Sequence, residues 1–324
     1  MPAKGISSIR NASGKLNFSK GGSTSIYVDQ SASNASDKND GYSWDRPKET
    51  FAGATDILES WMEIWVKSGT YQENVVIDKE NVIIHGVVQA GVDKVQISPL
   101  SGVPLALQVG YSEIEGIALV STNSNALEAT GPGHKIHDCY VEVNSDGLAQ
   151  RTAVLLNDCD KILLRNNHLS GLYGLNTIGV RCDGALNPSV DGVIEENYIE
   201  KFGTVATAGQ GCNLNNAQRF LIKKNVFDSC YNGIYFEVKA NGLHTIVGNM
   251  FFANSSIDIC DMNSDQQVSG NFINNNFFGY SGWYQDVNHD GIADVPVQCY
   301  YNYDYSPLSY PHFQGSSFIP RYVA

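Results

Sequence analysis

Clusters of positive charge are missing from this chain. Its 324 residues carry 21 Lys and Arg against 34 Asp and Glu, a formal charge of −13, and no basic run. Neutralising a phosphate backbone takes clustered Lys and Arg, so nucleic acid is excluded as a partner and anionic membranes are poor ones. No apolar stretch approaches the ~20 residues that cross a bilayer. The opening MPAKGISSIRNASGKLNFSKGGSTS also lacks the apolar core of a signal peptide. The expectation is a protein whose leader has been cut away, or one released by lysis as virion components are. The seven cysteines, Cys139, Cys159, Cys182, Cys212, Cys230, Cys260 and Cys299, contain no C-x-x-C pair. Zinc ligation and a disulfide framework are therefore not expected, and the thiols read as small buried apolar groups. His85, His134, His137, His168, His244, His289 and His312 show no H-x-H or H-E-x-x-H spacing and are expected not to converge.

Glycine and asparagine are abundant, charged residues make up 17%, and a short pattern recurs from about residue 80. It reads IIHGVVQ at Ile83, IEGIALV at Ile114, IHDCYVEV at Ile136, LRNNHLSG at Leu164, IEENYIEK at Ile194, IKKNVFDS at Ile222, IVGNMFFA at Ile246 and VSGNFINN at Val268. The fourth position is Ile117, Cys139, Asn167, Asn197, Asn225, Asn249 and Asn271 in turn, at intervals of 22 to 30 residues. Each interval holds a further apolar strand with period-two alternation, such as AVLLN, TIGVRC, GIYFEV or SIDICD. Stacked rungs of this length predict an all-β chain, a single right-handed parallel β-helix. The asparagines are expected to sit at a tight bend in left-handed geometry and to bond the next rung's asparagine. Phe51, Ala54, Ile57, Leu58 and Trp61 recur at helical spacing and predict a capping helix over 47–61. The expected organisation is an arm (1–24), a cap with first strands (25–80), rungs (81–280) and a C-terminal cap (281–324).

These residues carry a resemblance. The stretch from Ile26, with Asp40, Gly41 and Trp44, then Val66, Gly69, Tyr71 and Glu73, resembles the opening of pectin-lyase-like right-handed β-helix proteins. That resemblance implies fold and says little of activity, because the fold hosts lyases, hydrolases, epimerases, adhesins and tailspikes. The segment NNNFFGYSGWYQDVNHDGIADVPVQC, closed by Asn302, Asp304, Pro307 and Leu308, is similar to the end of NosD-like proteins, which are extracytoplasmic. Copper delivery, suggested for that family, does not carry over to a chain without a His or Met cluster. A short arm ahead of a β-helix also resembles tail and capsid-surface proteins of phages and related viruses, where residues 1–24 would dock onto the particle and a homotrimer would fit.

Three sets of residues are candidates for chemistry. Asp286, Asn288, Asp290 and Asp294 offer side-chain oxygens and Ile292 a carbonyl at calcium-loop spacing. Position twelve is Val297, so the expected Ca2+ ion needs a partner such as Asp304, and its role would be structural. On the later strands, alignment places Leu155, Gly179, Asn213, Tyr235 and Asp258 in one outward column and Asn157, Arg181, Asn215, Glu237 and Cys260 in the next. Asn213, Asn215 and Tyr235 then suit sugar hydroxyls, while Glu237 and Asp258, with Arg181 steering an acidic sugar, form a candidate catalytic pair. The function expected is a structural or receptor-binding protein outside a cell or on a virion, contacting surface polysaccharide. The alternatives are a polysaccharide lyase or glycoside hydrolase, and a NosD-like extracytoplasmic protein.

Overall fold

The computed structural model describes residues 8–10, 16–18, 25–87, 94–184, 187–203, 209–237, 242–255 and 257–261, and short later pieces at 272–274, 276–278, 283–285, 298–300 and 303–304. Within them the chain winds as a coil whose turns build three parallel sheets of eleven, ten and nine strands. The first sheet begins with Ser25–Val28, Glu63–Lys67 and Ile83–Val87; the second with Gly69–Tyr71 and Val95–Ile97; the third with Val75–Ile77 and Leu105–Leu107. One rung thus supplies one strand to each sheet in turn, and each strand pairs in parallel with its equivalent a rung later. This is the parallel β-helix expected from the repeats. Within residues 1–24, Ser8–Arg10 pairs antiparallel with Leu16–Phe18.

Alternation along each strand sets what faces the core. In the first sheet Ile26, Ile64, Ile84, Ile114, Ile136, Leu164, Ile194, Ile222 and Ile246 occupy one register line, and none is more than 1% exposed. Burying such a side chain is worth roughly 1.5–3 kcal/mol, so these ladders supply most of the cohesion between rungs. Cys139, Cys159, Cys182, Cys212 and Cys230 are free and buried as expected. Burial pushes the thiols of Cys139, Cys159, Cys212 and Cys230 up to about 12, which leaves them unreactive.

At the turn between the first and second sheets an asparagine recurs in a fixed arrangement. Asn197 Nδ2 donates to Leu164 O (3.0 Å) and to Asn225 Oδ1 (2.9 Å). Its Oδ1 accepts both the backbone N–H and the Nδ2 of Asn167, each at 3.0 Å. The same pattern links Asn225 to Asn249 and Asn249 to Asn276. Two expectations need correcting. The left-handed residue is the one before each asparagine, Asn166 (φ 52°), Glu196 (59°), Lys224 (55°) and Gly248 (66°), so that the asparagine is turned inward. The rung after Asn249 is completed by Asn276 and not Asn271, because Phe272–Asn274 pairs with Thr245–Val247 and shifts the register by five positions.

The helix at the N-terminal end is shorter than predicted, Phe51–Thr55. Thr50 Oγ1 accepts from Gly53 N–H (2.9 Å), and the Glu73 carboxylate accepts from Phe51 N–H (3.0 Å) and Ala52 N–H (2.8 Å). Glu73, in the turn between Gly69–Tyr71 and Val75–Ile77, therefore caps the helix from the first rung. Phe51, Ala54 and Leu58 are buried as expected, but the helix has ended before Trp61, which is 64% exposed at φ 72°. At the other end the coil continues past residue 281: Gln298–Tyr300 and Tyr303–Asp304 extend the first and second sheets.

Two buried histidines repeat one another. His134 Nδ1 accepts Ser112 N–H (3.3 Å) and His244 Nδ1 accepts Phe220 N–H (3.2 Å), each from the preceding rung. A proton on Nδ1 would abut that N–H, and burial holds both imidazoles below their ordinary range, His244 at about 3. The unfolded imidazole binds its proton near 6.5, so between about pH 6.5 and 3 the unfolded state takes up more protons and stability falls as pH falls. Urea unfolding of the wild type against His244→Gln should show a flatter loss between pH 6.5 and 4.5 in the variant. Parallel slopes would mean that His244 is not held neutral.

Asn197→Ala removes both Nδ2 bonds and strands the Asn167 N–H in the core, and should cost about 2–4 kcal/mol by urea unfolding. Glu196→Gly, one residue earlier, should change stability by under ~1 kcal/mol, since relief of a left-handed backbone offsets the exposed pair with Lys224. Equal losses in the two variants would contradict the ladder's role.

Candidate functional site

Outward positions of neighbouring rungs form columns, and two columns meet at the corner between the first and second sheets. On the first sheet one line runs Trp65, His85, Glu115, His137 and Arg165. The line beside it includes Glu63, Ile83, Glu113 and Lys135. Trp65 stacks on the His85 ring at 4.0 Å. His85 Nδ1 lies 2.5 Å from Glu115 Oε1, and His137 Nε2 lies 3.2 Å from Glu113 Oε1 and 3.7 Å from Glu115 Oε2. His137 Nδ1 is 2.7 Å from Asp138 Oδ2, and Asn166 Nδ2 donates to Asp138 Oδ1. Two histidines that no spacing brought together thus share one carboxylate, which corrects the expectation that they do not converge.

Burial opposes the charged form of His137, but its bonds to Asp138 and Glu113 prevail and raise it above the ordinary imidazole range. Burial likewise works against the Glu113 carboxylate, and the Lys135 and His137 bonds overcome it and hold the group low. The His137 bond does the same for Asp138. One ligand atom each from Glu113, Glu115 and His137 falls within 4.8 Å of the others.

Asp138 turns the corner. With Tyr140, Asn166, His168, Glu196 and Tyr198 it lines a cleft of about 500 Å³ that opens onto the second sheet. There Tyr140, His168 and Tyr198 lie opposite one another in register, edge to face at 5.1 and 5.2 Å. The neighbouring line carries Glu142, Ser170, Glu200 and Asp228. Tyr140 Oη donates to Glu142 (2.6 Å), Tyr198 Oη to Asp228 (2.5 Å), and His168 Nε2 sits 3.1 Å from Glu200 Oε1. Those bonds fix each ring edge-on while Tyr198 stays 37% exposed. The bond to Asp228, with burial, pushes the Tyr198 phenol up to about 12. Lys94 Nζ lies over the Tyr140 ring at 4.1 Å.

The residues singled out on the third sheet are arranged differently from expectation. Register places Leu155, Arg181, Asn213, Tyr235 and Cys260 in one line, so Arg181 and Cys260 fall beside Asn213 and Tyr235. Pairing is regular from Arg151 opposite Thr177 to Leu156 opposite Cys182, so the expected columns are two residues out of step on Leu175–Cys182 and Ile257–Asp261, a slip that alternation alone does not exclude. Asn213 is fully buried, its Nδ2 donating to Gln210 Oε1 (2.6 Å) and Glu237 Oε1 (2.8 Å). Arg181 pairs with Asp183 (3.2 Å) and meets Gln150, and Asn215 donates to Asp183 (2.8 Å). Asp258 does not project outward beside Glu237: it takes the register position of Gly233 and is 0% exposed, accepting from Asn254 Nδ2 (2.9 Å). A pair acting across a sugar bond is not formed by these two. The calcium-type loop, with Asp286, Asn288, Asp290, Ile292 and Asp294, lies outside the described residues, between the strand Trp283–Gln285 and the strand Gln298–Tyr300; Asp304 ends the strand Tyr303–Asp304.

A sequence profile described as "Right handed beta helix region" matches residues 115–291. The chain belongs to that right-handed β-helix family. Among solved structures, this β-helix is similar to an alginate lyase from Paenibacillus, at 14% identity and a TM-score of 0.52 over 79% of this chain and 93% of that one. It is also similar to a pectin methylesterase from Aspergillus niger, at 14% identity and a TM-score of 0.49 over 93% and 92% of the two chains. A third likeness is to a lacto-N-biosidase from Eubacterium ramulus, at 13% identity and a TM-score of 0.41 over 93% of this chain and 67% of that one. No curated protein sequence matches the β-helix. At these identities the likeness is one of fold.

Proposed function

We propose that this β-helix binds a polysaccharide, laid along the outer face of the second sheet and into the cleft at its corner with the first. The observation that carries the reading is the column Tyr140, His168 and Tyr198 lining that cleft, with Glu142, Glu200 and Asp228 bonded alongside. Ring faces pack against the C–H faces of sugars, and carboxylates accept hydrogen bonds from hydroxyls. Rungs repeat every ~4.8 Å, so a chain molecule running along the axis meets an equivalent group at each rung. The fold shared with an alginate lyase supports the class of ligand.

The charge on this face narrows the sugar. Three carboxylates stand in the neighbouring line, and the cations beside the column are Lys94 and Lys201, the latter paired with Glu200 at 3.0 Å. Together with the net charge of −13, this disfavours a polyuronate and favours neutral sugar units.

Calorimetry against panels of neutral and acidic polysaccharides tests the proposal. A neutral polymer should bind, with affinity about tenfold weaker in Tyr198→Ala, the loss of one stacked ring at roughly 1–1.5 kcal/mol. No binding across the panel, or unchanged affinity in the variant, would remove the second-sheet face as the site. New reducing ends or unsaturated sugars in the same samples would make the protein a hydrolase or lyase.

A further inference from the structure

We propose that Glu113, Glu115 and His137 form a binding site for a divalent transition-metal ion of the Zn2+ type, with one imidazole nitrogen and two carboxylate oxygens as ligands. The distances fit. Ligands at ~2.0–2.2 Å from a tetrahedral Zn2+ lie about 3.4 Å from one another, and His137 Nε2 stands 3.2 Å from Glu113 Oε1 and 3.7 Å from Glu115 Oε2. All three side chains project from paired strands, Glu115 directly opposite His137, so the sheet holds the geometry.

The surroundings have the form of a metal site's outer layer. A ligating histidine commonly gives its other ring N–H to a carboxylate, which fixes the tautomer and aims the free nitrogen at the ion. Asp138 Oδ2 takes that role at 2.7 Å from His137 Nδ1, and Asn166 holds the other oxygen of Asp138. A second buried imidazole joins the same carboxylate: His85, 5% exposed, lies against Glu115 Oε1. Its Nε2 has no hydrogen-bond partner among the described residues and faces Glu63 Oε2 at 3.6 Å. The four carboxylates Glu63, Glu113, Glu115 and Asp138 outnumber the permanent cations beside them, Lys135 and Arg165, a balance that a dication improves.

The donor set selects the metal. Ca2+ asks for six to eight oxygens, whereas a mixed imidazole and carboxylate set suits a borderline ion. The Glu113 and Glu115 side chains are 29% and 37% exposed, which leaves a solvent-facing coordination position, as in three-ligand sites that keep a water. The site stands independently of the polysaccharide reading.

The test is metal counting on the full chain after equilibration with Zn2+ and desalting, with Mg2+ and Ca2+ as competitors. About one Zn2+ per chain should be retained, resisting both competitors. Its affinity should fall at least tenfold in Glu115→Gln and His137→Gln, and 10–100-fold in Asp138→Asn. His168→Gln and Asp290→Asn should leave the count unchanged. If no zinc is retained, or if it leaves with His168 or Asp290 and not with His137, the assignment is overturned. Should a ligand variant fail to fold, X-ray absorption on the Co2+-loaded wild type decides: imidazole and carboxylate ligation supports the site, and an ion ringed by water alone overturns it.

Discussion

A buried asparagine in one rung hydrogen-bonds the same side chain in the next, and from Asn167 to Asn276 this sets the register on which neighbouring rungs stack. The aliphatic ladders are stronger in total, but they are tolerant. Any branched side chain satisfies the requirement for something apolar facing inward, and parity alone would let a rung slide by two residues at little cost. The amides do not allow it. Asn197 must meet the Asn225 oxygen, the Leu164 carbonyl and the Asn167 N–H together, and a slip would strand each of these groups without water. An unsatisfied buried polar group costs a few kcal/mol, so the ladder converts approximate stacking into a single register. The left-handed residue before each asparagine is the local expense of turning the amide inward.

Fixed register is also what creates sites. His85 and Glu115 are 30 residues apart in the chain, and Glu113 and His137 are 24 apart, yet each pair is in contact. Their adjacency comes from rung heights and from nothing local. A solenoid can therefore assemble chemistry from residues that share no motif, provided each falls on the same outward parity at successive rungs. The outer column lies apart from the core ladder, so it can vary without disturbing the stack.

That separation explains how much could be read in the sequence. The parallel coil, the buried thiols and most of the asparagine ladder were legible because they repeat, and repetition survives uneven loops. The helix over 47–61 is shorter than its apolar spacing because past Thr55 the bonds become i−3 turns, Ile57 N–H to Ala54 O and Leu58 N–H to Thr55 O. The last ladder position was misplaced because the run Asn274, Asn275 and Asn276 offers several candidates beside Asn271, and strand pairing chooses among them. The His and Glu cluster was invisible for a different reason. Finding an outer patch requires the register to one residue, and on the third sheet alternation leaves a two-residue slip open, which puts Gly179 and Asp258 where Arg181 and Cys260 stand.

The three outer faces differ in what they leave for a ligand. On the third sheet the polar side chains are turned on one another: Glu237 and Gln210 share Asn213, and Asp183 holds Arg181 and Asn215. A ligand there would have to break bonds already made, and the net gain from exchanging one such bond for another is small. On the second sheet the bonds run from ring edge to carboxylate; Lys94 covers one face of Tyr140, and Tyr198 stays 37% exposed for contact. On the first sheet four carboxylates stand around the two imidazoles, with Lys135 and Arg165 as the permanent cations beside them. Asp138 belongs to both of these faces, bonded to His137 on one side and lining the cleft on the other. The residue that orients the imidazole thus also walls the cleft, so the two faces share one side chain.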